Sequence, residues 1–210
     1  MIDGNMMENK LNDLLRGREL EMNDTFQFEC TGCGHCCHGH DDIILMGNDI
    51  FRIAKKLRIP TVEVVNKYAD IHIGHDSKMP VAMMKQRFDG SCPLLSLGRC
   101  VVHDHKPLTC ALYPIGRVIR TDTKQIRYFL QEKDPGSRCK HGNKTYTLRE
   151  WLDSYNLLDS DKDTFAWTDA LTALSNNKVI TWYRNHYDNL EQRTRDMILN
   201  ISAYIFQVRY

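Results

Sequence analysis

Cys30, Cys33, Cys36 and Cys37 fall within eight residues of Phe28-Glu-Cys-Thr-Gly-Cys-Gly-His-Cys-Cys37, interleaved with Gly32 and Gly34 and followed by Gly39. The C-x-x-C spacing lets one short loop aim two sulfurs at a single ion. Glycine lets that backbone turn tightly and present N–H groups to thiolate sulfur. Buried inert cysteines usually occur singly, so a tetrad in a glycine-rich loop points to metal ligation. The adjacent pair adds a constraint. Neighbouring side chains of an extended segment point opposite ways, so Cys36 and Cys37 do not easily share one tetrahedral ion.

Cys92, Cys100, Cys110 and Cys139 complete a set of eight cysteines. These four are spread along the chain and need a fold to converge. Eight thiolates suffice for two four-cysteine centres; one centre with spare thiols is the alternative. All-thiolate ligation suits zinc or iron, including an iron–sulfur cluster. His35, His38, His40, His103 and His105 lie close in sequence, and a histidine there can replace a thiolate. His103 has the best claim, because Cys100-Val-Val-His103 repeats the C-x-x-C spacing.

Three stretches must position these groups. Leu11, Leu14, Leu15 and Met22 keep helical spacing and predict an amphipathic helix over 6–22, within an N-terminal segment 1–25. The cysteine-bearing region, 26–152, is expected to hold a strand at Ile43–Met46. A helix capped by Asn48 follows, with Ile50, Ile53, Ala54 and Leu57 on its apolar face and Pro60 at its end. Thr61 caps a second helix through Val64, Val65 and Tyr68. Residues 80–88 read as a strand leading to Cys92, and 115–120 with 125–131 as a β-hairpin. Thr147-Leu-Arg-Glu150 fits a capping box opening a helix at Trp151. The rest, 153–210, is a helical extension, with a further start between Asp159 and Asp163. From 178 to 208 the apolar spacing allows one helix of roughly 46 Å, or two with a break near Asp188. The fold class expected is α+β: an irregular cysteine-rich metal-binding core with short strands, two short helices and a helical C-terminal region.

Composition narrows the function. Charged residues make up 26% and the formal net charge is +1, so no basic surface for nucleic acid is implied. No run of about eighteen apolar residues predicts a membrane span. Met1–Lys10 has no apolar core of a secretory signal, which points to the cytoplasm, where clustered thiols are ligands more often than cystines.

These motifs resemble the CxxCxxCC, or YkgJ-like, cysteine-cluster family, a zinc- or iron-chelating domain. The likeness runs through Cys30 to Cys37, Gly90-Ser-Cys92-Pro-Leu-Leu, Gly98-Arg-Cys100-Val-Val-His103, Lys106-Pro107-Leu-Thr-Cys110, Tyr113-Pro114, Cys139 and Tyr146-Thr-Leu-Arg-Glu-Trp151. The resemblance implies metal binding, with Cys30, Cys33, Cys36, Cys37, Cys92, Cys100, Cys110 and Cys139 as ligands. Lys106 and Ala111 stand where the family pattern has arginine, which removes a bidentate contact to a sulfide or carboxylate. The expected use is structural, redox or carrier. Some relatives are flagellin lysine N-methylases, so an enzyme using S-adenosylmethionine is the alternative, although no Gly-x-Gly-x-x-Gly follows a strand. A protein partner docking on the C-terminal helix through Trp182, Tyr183 and Tyr204 is a third use. Chelation or acid is expected to loosen residues 26–141.

Overall fold

The computed structural model describes residues 9, 12–13, 15–40, 42–75, 77–120, 122–131 and 144–195. In chain order its strands are β1 (Glu19–Leu20), β2 (Thr25–Gln27), β3 (Ile44–Leu45), β4 (Ala69–Ile73), β5 (Pro80–Met84), β6 (Leu95–Ser96), β7 (Arg99–Cys100), β8 (Ile115–Arg120), β9 (Gln125–Leu130) and β10 (Thr145–Thr147). Its α-helices are α1 (Gly47–Leu57), α2 (Thr61–Tyr68), α3 (Leu108–Leu112), α4 (Leu148–Ser154), α5 (Ser160–Ser175) and α6 (Lys178–His186). All strand pairings among the described residues are antiparallel and the class is α+β, as expected. Two units emerge: Met1–Thr31 with Leu112–Leu158, and Gly32–Ala111 with Asp159–Tyr210.

In the first unit, β8 and β9 form the expected hairpin in the register Ile115↔Leu130 to Arg120↔Gln125, and β1 pairs with β9. A second ladder pairs β2 with β10, leading directly into α4. The capping box forms as the sequence implies. Glu150 N–H donates to Thr147 Oγ1 at 3.1 Å, and Thr147 N–H donates to Glu150 Oε2 at 2.7 Å. The helix therefore opens at Leu148, a turn earlier than Trp151. Trp151 is buried, its Nε1–H donates to the Leu112 carbonyl at 3.0 Å, and Phe26, Phe28, Tyr146 and Tyr155 surround its ring.

The expected helix over 6–22 is shorter. Asn12, Asp13 and Leu15 are helical, but residues 16–18 form a turn and Met22 lies beyond β1. Gly17 adopts φ 71°, a left-handed helix stop that glycine takes without strain. Leu15 is buried, whereas Leu11 and Leu14 lie outside the described residues.

In the second unit, the sheet β3-β5-β4 backs onto α1 and α2. Leu45, Ile50, Ile53, Ala54, Val64, Val65, Ala82, Met84, Leu94 and Val102 form its core, with Trp167 of α5 packed against it. The apolar faces of α1 and α2 are those the spacing gave. Their starts differ by two residues and one: Met46 and Pro60 are the N-caps, so Asn48 and Thr61 lie inside the helices. Asp49 causes the first shift, its Oδ2 accepting the Met46 N–H at 2.9 Å. Asn48 Nδ2 donates instead to Asp163 Oδ2 of α5, at 2.6 Å. The strand expected over 80–88 stops at Met84, where its partner β4 runs out; Lys85 N–H then bonds the Tyr68 carbonyl and Arg87 N–H the Ser91 carbonyl.

The C-terminal region takes the broken alternative. α6 ends at His186, Tyr187–Asn189 forms a 3-10 turn, and Leu190 is extended. Lys78 Nζ bonds Asp188 at 2.9 Å, and Arg195 donates to the Leu190 and Asp188 carbonyls at 2.9 Å each. Val179 and Trp182 are exposed on α6. Residues 196–210, including Tyr204, lie outside the described residues. No helix among the described residues is long and apolar enough to cross a membrane.

Candidate metal centre

The cysteine loop is held against a distant part of the chain by backbone bonds. Gly34 sits at φ 73° and opens a 3-10 turn over His35–Cys37. A Cβ on Gly34 would lie 3.3 Å from the Gly98 carbonyl oxygen, so close approach as well as turn geometry calls for glycine there. Beyond the turn, His38 bridges Ser91, Gly39 N–H donates to the Gly90 carbonyl at 3.0 Å, and Cys92 N–H donates to the Cys37 carbonyl at 2.7 Å. This short ladder brings Cys92 beside the Cys36-Cys37 pair.

The next segment folds back as the hairpin β6–β7, with Leu95 opposite Cys100 and both turn residues, Leu97 and Gly98, at positive φ. Positive φ at both central positions is what a two-residue hairpin turn of type I′ requires. Cys100 is thereby returned toward Cys92, whose carbonyl accepts from Leu95 N–H at 3.0 Å. α3 then supplies Cys110. Its start is anchored on α1, because Leu108 N–H donates to the buried Asp49 Oδ1 at 2.7 Å.

Electrostatics shows which thiols gather. Cys37 donates a hydrogen bond to the Cys36 sulfur, holding the Cys36 thiol well below its usual range, and the charges of Lys106 and His40 add to this. Cys37 is pushed up by the same bond, by burial, and by the charges of Cys36, Cys100 and Cys92. Burial raises Cys92, Cys100 and Cys110; Cys92 also feels the charge of Cys100 and Cys36, Cys100 that of Cys36, and Cys110 that of Cys92, Cys36 and Cys100. Five thiols from three segments therefore share one electrostatic neighbourhood. Two backbone donors serve it: the Leu94 N–H bonds the Cys92 sulfur and the Val102 N–H bonds the Cys100 sulfur, each two residues on. Such N–H···S bonds favour the thiolate form that binds metal.

The premise of an extended Cys36-Cys37 pair is corrected. In a 3-10 turn successive side chains are roughly 120° apart, and here both sulfurs reach the same neighbours. Cys33 lies half-buried in this unit, Cys30 belongs to the other unit, and Cys139 lies outside the described residues. All seven cysteines among the described residues are free thiols. Among those residues no three His, Cys, Asp or Glu side chains are arranged to hold a metal ion as they stand. The Cys36–Cys37 hydrogen bond commits a lone pair that ligation would need. The donor chemistry itself fits zinc or iron: five soft sulfurs with N–H donors beside them.

The histidines separate. His38 Nδ1 is 2.9 Å from the Gly34 carbonyl, a bond that fixes the loop. Partial burial and the charge of Lys106 lower His103, keeping its imidazole neutral, the form that can ligate. Sequence spacing did not single out Asp49 or Arg87, although both hold thiol-bearing segments. Arg87 donates to Ser91 Oγ at 3.4 Å and to the Pro93 carbonyl at 2.9 Å, bracketing Cys92.

A family model described as "CxxCxxCC: Putative zinc- or iron-chelating domain" matches residues 29–134, more than half of the 210-residue chain. The chain belongs to this family. No curated protein and no solved structure matches it. The CxxCxxCC match contains seven of the eight cysteines, all but Cys139, together with the ladder, the hairpin and α3 that carry five of them. Metal chelation is thus the property that the family description and this thiol chemistry have in common.

Proposed function

We propose that this protein chelates zinc or iron through a thiolate centre built on Cys36, Cys37, Cys92, Cys100 and Cys110, and that the metal serves to lock the cysteine-bearing segments together. The supporting observation is that the Gly39–Gly90 and Cys92–Cys37 backbone bonds and the β6–β7 hairpin gather Cys37, Cys92 and Cys100, with Cys36 and Cys110 in the same electrostatic neighbourhood, from residues up to 74 positions apart. Four or more thiolates saturate a zinc or iron ion and leave no position for substrate, which favours a structural role over catalysis. Few backbone bonds tie the segments 37–39, 90–92, 95–100 and 108–112 to one another, so cross-linking them through sulfur adds directly to folding free energy. Bound zinc or iron supplies the cross-link; the chain supplies thiolates, N–H donors to sulfur and a partly buried setting.

Anaerobic purification followed by elemental analysis and a visible absorption spectrum tests this reading. Stoichiometric zinc in a colourless sample, or iron with a visible absorption band, supports it. A well-folded chain containing neither metal overturns it.

A further inference from the structure

Three cations of the second unit gather around one tyrosine. Lys78 Nζ lies 5.6 Å and the Arg195 guanidinium carbon 5.5 Å from the centroid of the Tyr187 ring, which Tyr183 meets edge-on at 5.4 Å. Arg184 of α6 reaches the loop that carries Lys78, its Nε donating to the Ser77 carbonyl at 2.6 Å. The carboxylate here is Asp188, which Lys78 holds at 2.9 Å. Arg195 donates to the Leu190 and Asp188 carbonyls instead. Among the described residues neither guanidinium forms an ion pair, and Glu191, close by in sequence, pairs with none of the three cations. Three cations thus face one carboxylate, an excess of two positive charges.

Packing alone does not account for this arrangement. The Lys78 side chain is only 20% exposed, and its backbone sits at φ 52°, a left-handed conformation that is strained for lysine. A guanidinium bonded to neutral carbonyls keeps its charge and its remaining N–H donors for an anion. The Tyr183 hydroxyl is buried and has no hydrogen-bond partner among the described residues, which costs stability unless a ligand satisfies it. Surplus charge, planar guanidinium forks and an unused hydroxyl are the groups that recognise a phosphate oxyanion. We propose that Lys78, Arg184, Arg195 and Tyr183 form a binding site for a phosphate-bearing ligand, the cations supplying charge and Tyr183 a hydroxyl donor. The site uses none of the cysteines and does not depend on the chelation reading. Free phosphate compounds and phospholipid headgroups share this chemistry. A purely structural latch between residues 77–78 and α6 would use the cations but not the Tyr183 hydroxyl.

The test titrates the full chain with inorganic phosphate at constant ionic strength, followed by phosphorus NMR with chloride as control. Sedimentation with vesicles of phosphatidylglycerol in phosphatidylcholine forms a second arm. Saturable phosphate binding is expected, weakened about tenfold or more by Arg184→Gln and by Arg195→Gln. Tyr183→Phe is expected to weaken it severalfold while leaving stability to urea unchanged or higher, since the lost hydroxyl bonds nothing in the chain. Should the arginine variants fail to fold, Tyr183→Phe carries the comparison. Binding to the vesicles alone, lost in Tyr183→Phe, supports the site and assigns it to a headgroup. Absence of binding in both arms, or variants that bind as the parent does, overturns the inference and leaves the cluster a structural latch.

Discussion

The Cys92 N–H donates to the Cys37 carbonyl oxygen at 2.7 Å, joining residues 55 positions apart through backbone alone. Side chains at both positions are thereby delivered to one place whatever their protonation state. That bond lies between the His38–Ser91 bridge and the β6–β7 hairpin, so strand-like pairing brings Cys92 and Cys100 to the Cys36-Cys37 turn, while Cys110 comes on α3.

Replacing Cys100 by serine keeps the hairpin but substitutes a hard oxygen for a soft sulfur. Bound metal per chain after extensive dialysis is expected to fall to background. The same loss is expected for Cys110→Ser. Retention of parental metal content in both variants would take these residues out of the centre.

Stripping metal from the parent with a strong chelator is expected to change the circular dichroism and to expose residues 32–111 to limited proteolysis. Residues 145–154, organised around Trp151, belong to the other unit and should keep their protection. Hydrogen exchange before and after chelation resolves the two responses. Uniform protection in both states would argue against a structural metal.

Asp49→Ala removes the acceptor for two backbone donors, Met46 N–H and the buried Leu108 N–H. Leaving such a donor unpaired costs roughly 1–3 kcal/mol, and loss of the helix-start bond adds to this. Urea denaturation of the metal-free chain should show the drop. Metal affinity should fall too, because Cys110 rides on the helix that Leu108 begins.

Trp151→Phe keeps most of the aromatic packing but orphans the Leu112 carbonyl, and is expected to lose about 1 kcal/mol. Trp151→Ala should lose about 3–5 kcal/mol. Thermal unfolding followed by far-ultraviolet dichroism ranks the pair; equal losses would mean that the ring contributes little.

The capping box gives a pH dependence of known sign. Glu150 accepts from the Thr147 N–H and hydroxyl, which lowers its pKa below 4.5. A folded-state pKa held below the unfolded value adds stability above about pH 4.5, lost as pH falls through the lower folded value. The stability difference between the parent and Glu150→Gln should therefore shrink as pH falls below about 4.5. A difference independent of pH would show that the carboxylate charge has no part in the cap.

What could be read from the chain alone were features with local causes. The apolar stripes of α1 and α2, the β8–β9 hairpin and the Thr147–Glu150 box follow from spacing and side-chain chemistry within a few residues. Gly17 was also a local signal, and its left-handed conformation explains why the first helix stops short of Met22. The break after His186 was weighed but not decided by spacing; it lies beside Asp188, which Lys78 reaches from 110 positions away. Likewise Asn48 matched a cap by type, yet Asp49 took the Met46 N–H. The amino-acid types and their C-x-x-C spacing established that the thiols suit a soft metal, since that is a property of sulfur and needs no fold. Which thiols meet, and that Cys36 and Cys37 face the same neighbours, were settled only by the tertiary structure. Contacts between residues tens of positions apart depend on chain reversals and ladder register, and these are fixed when the core closes.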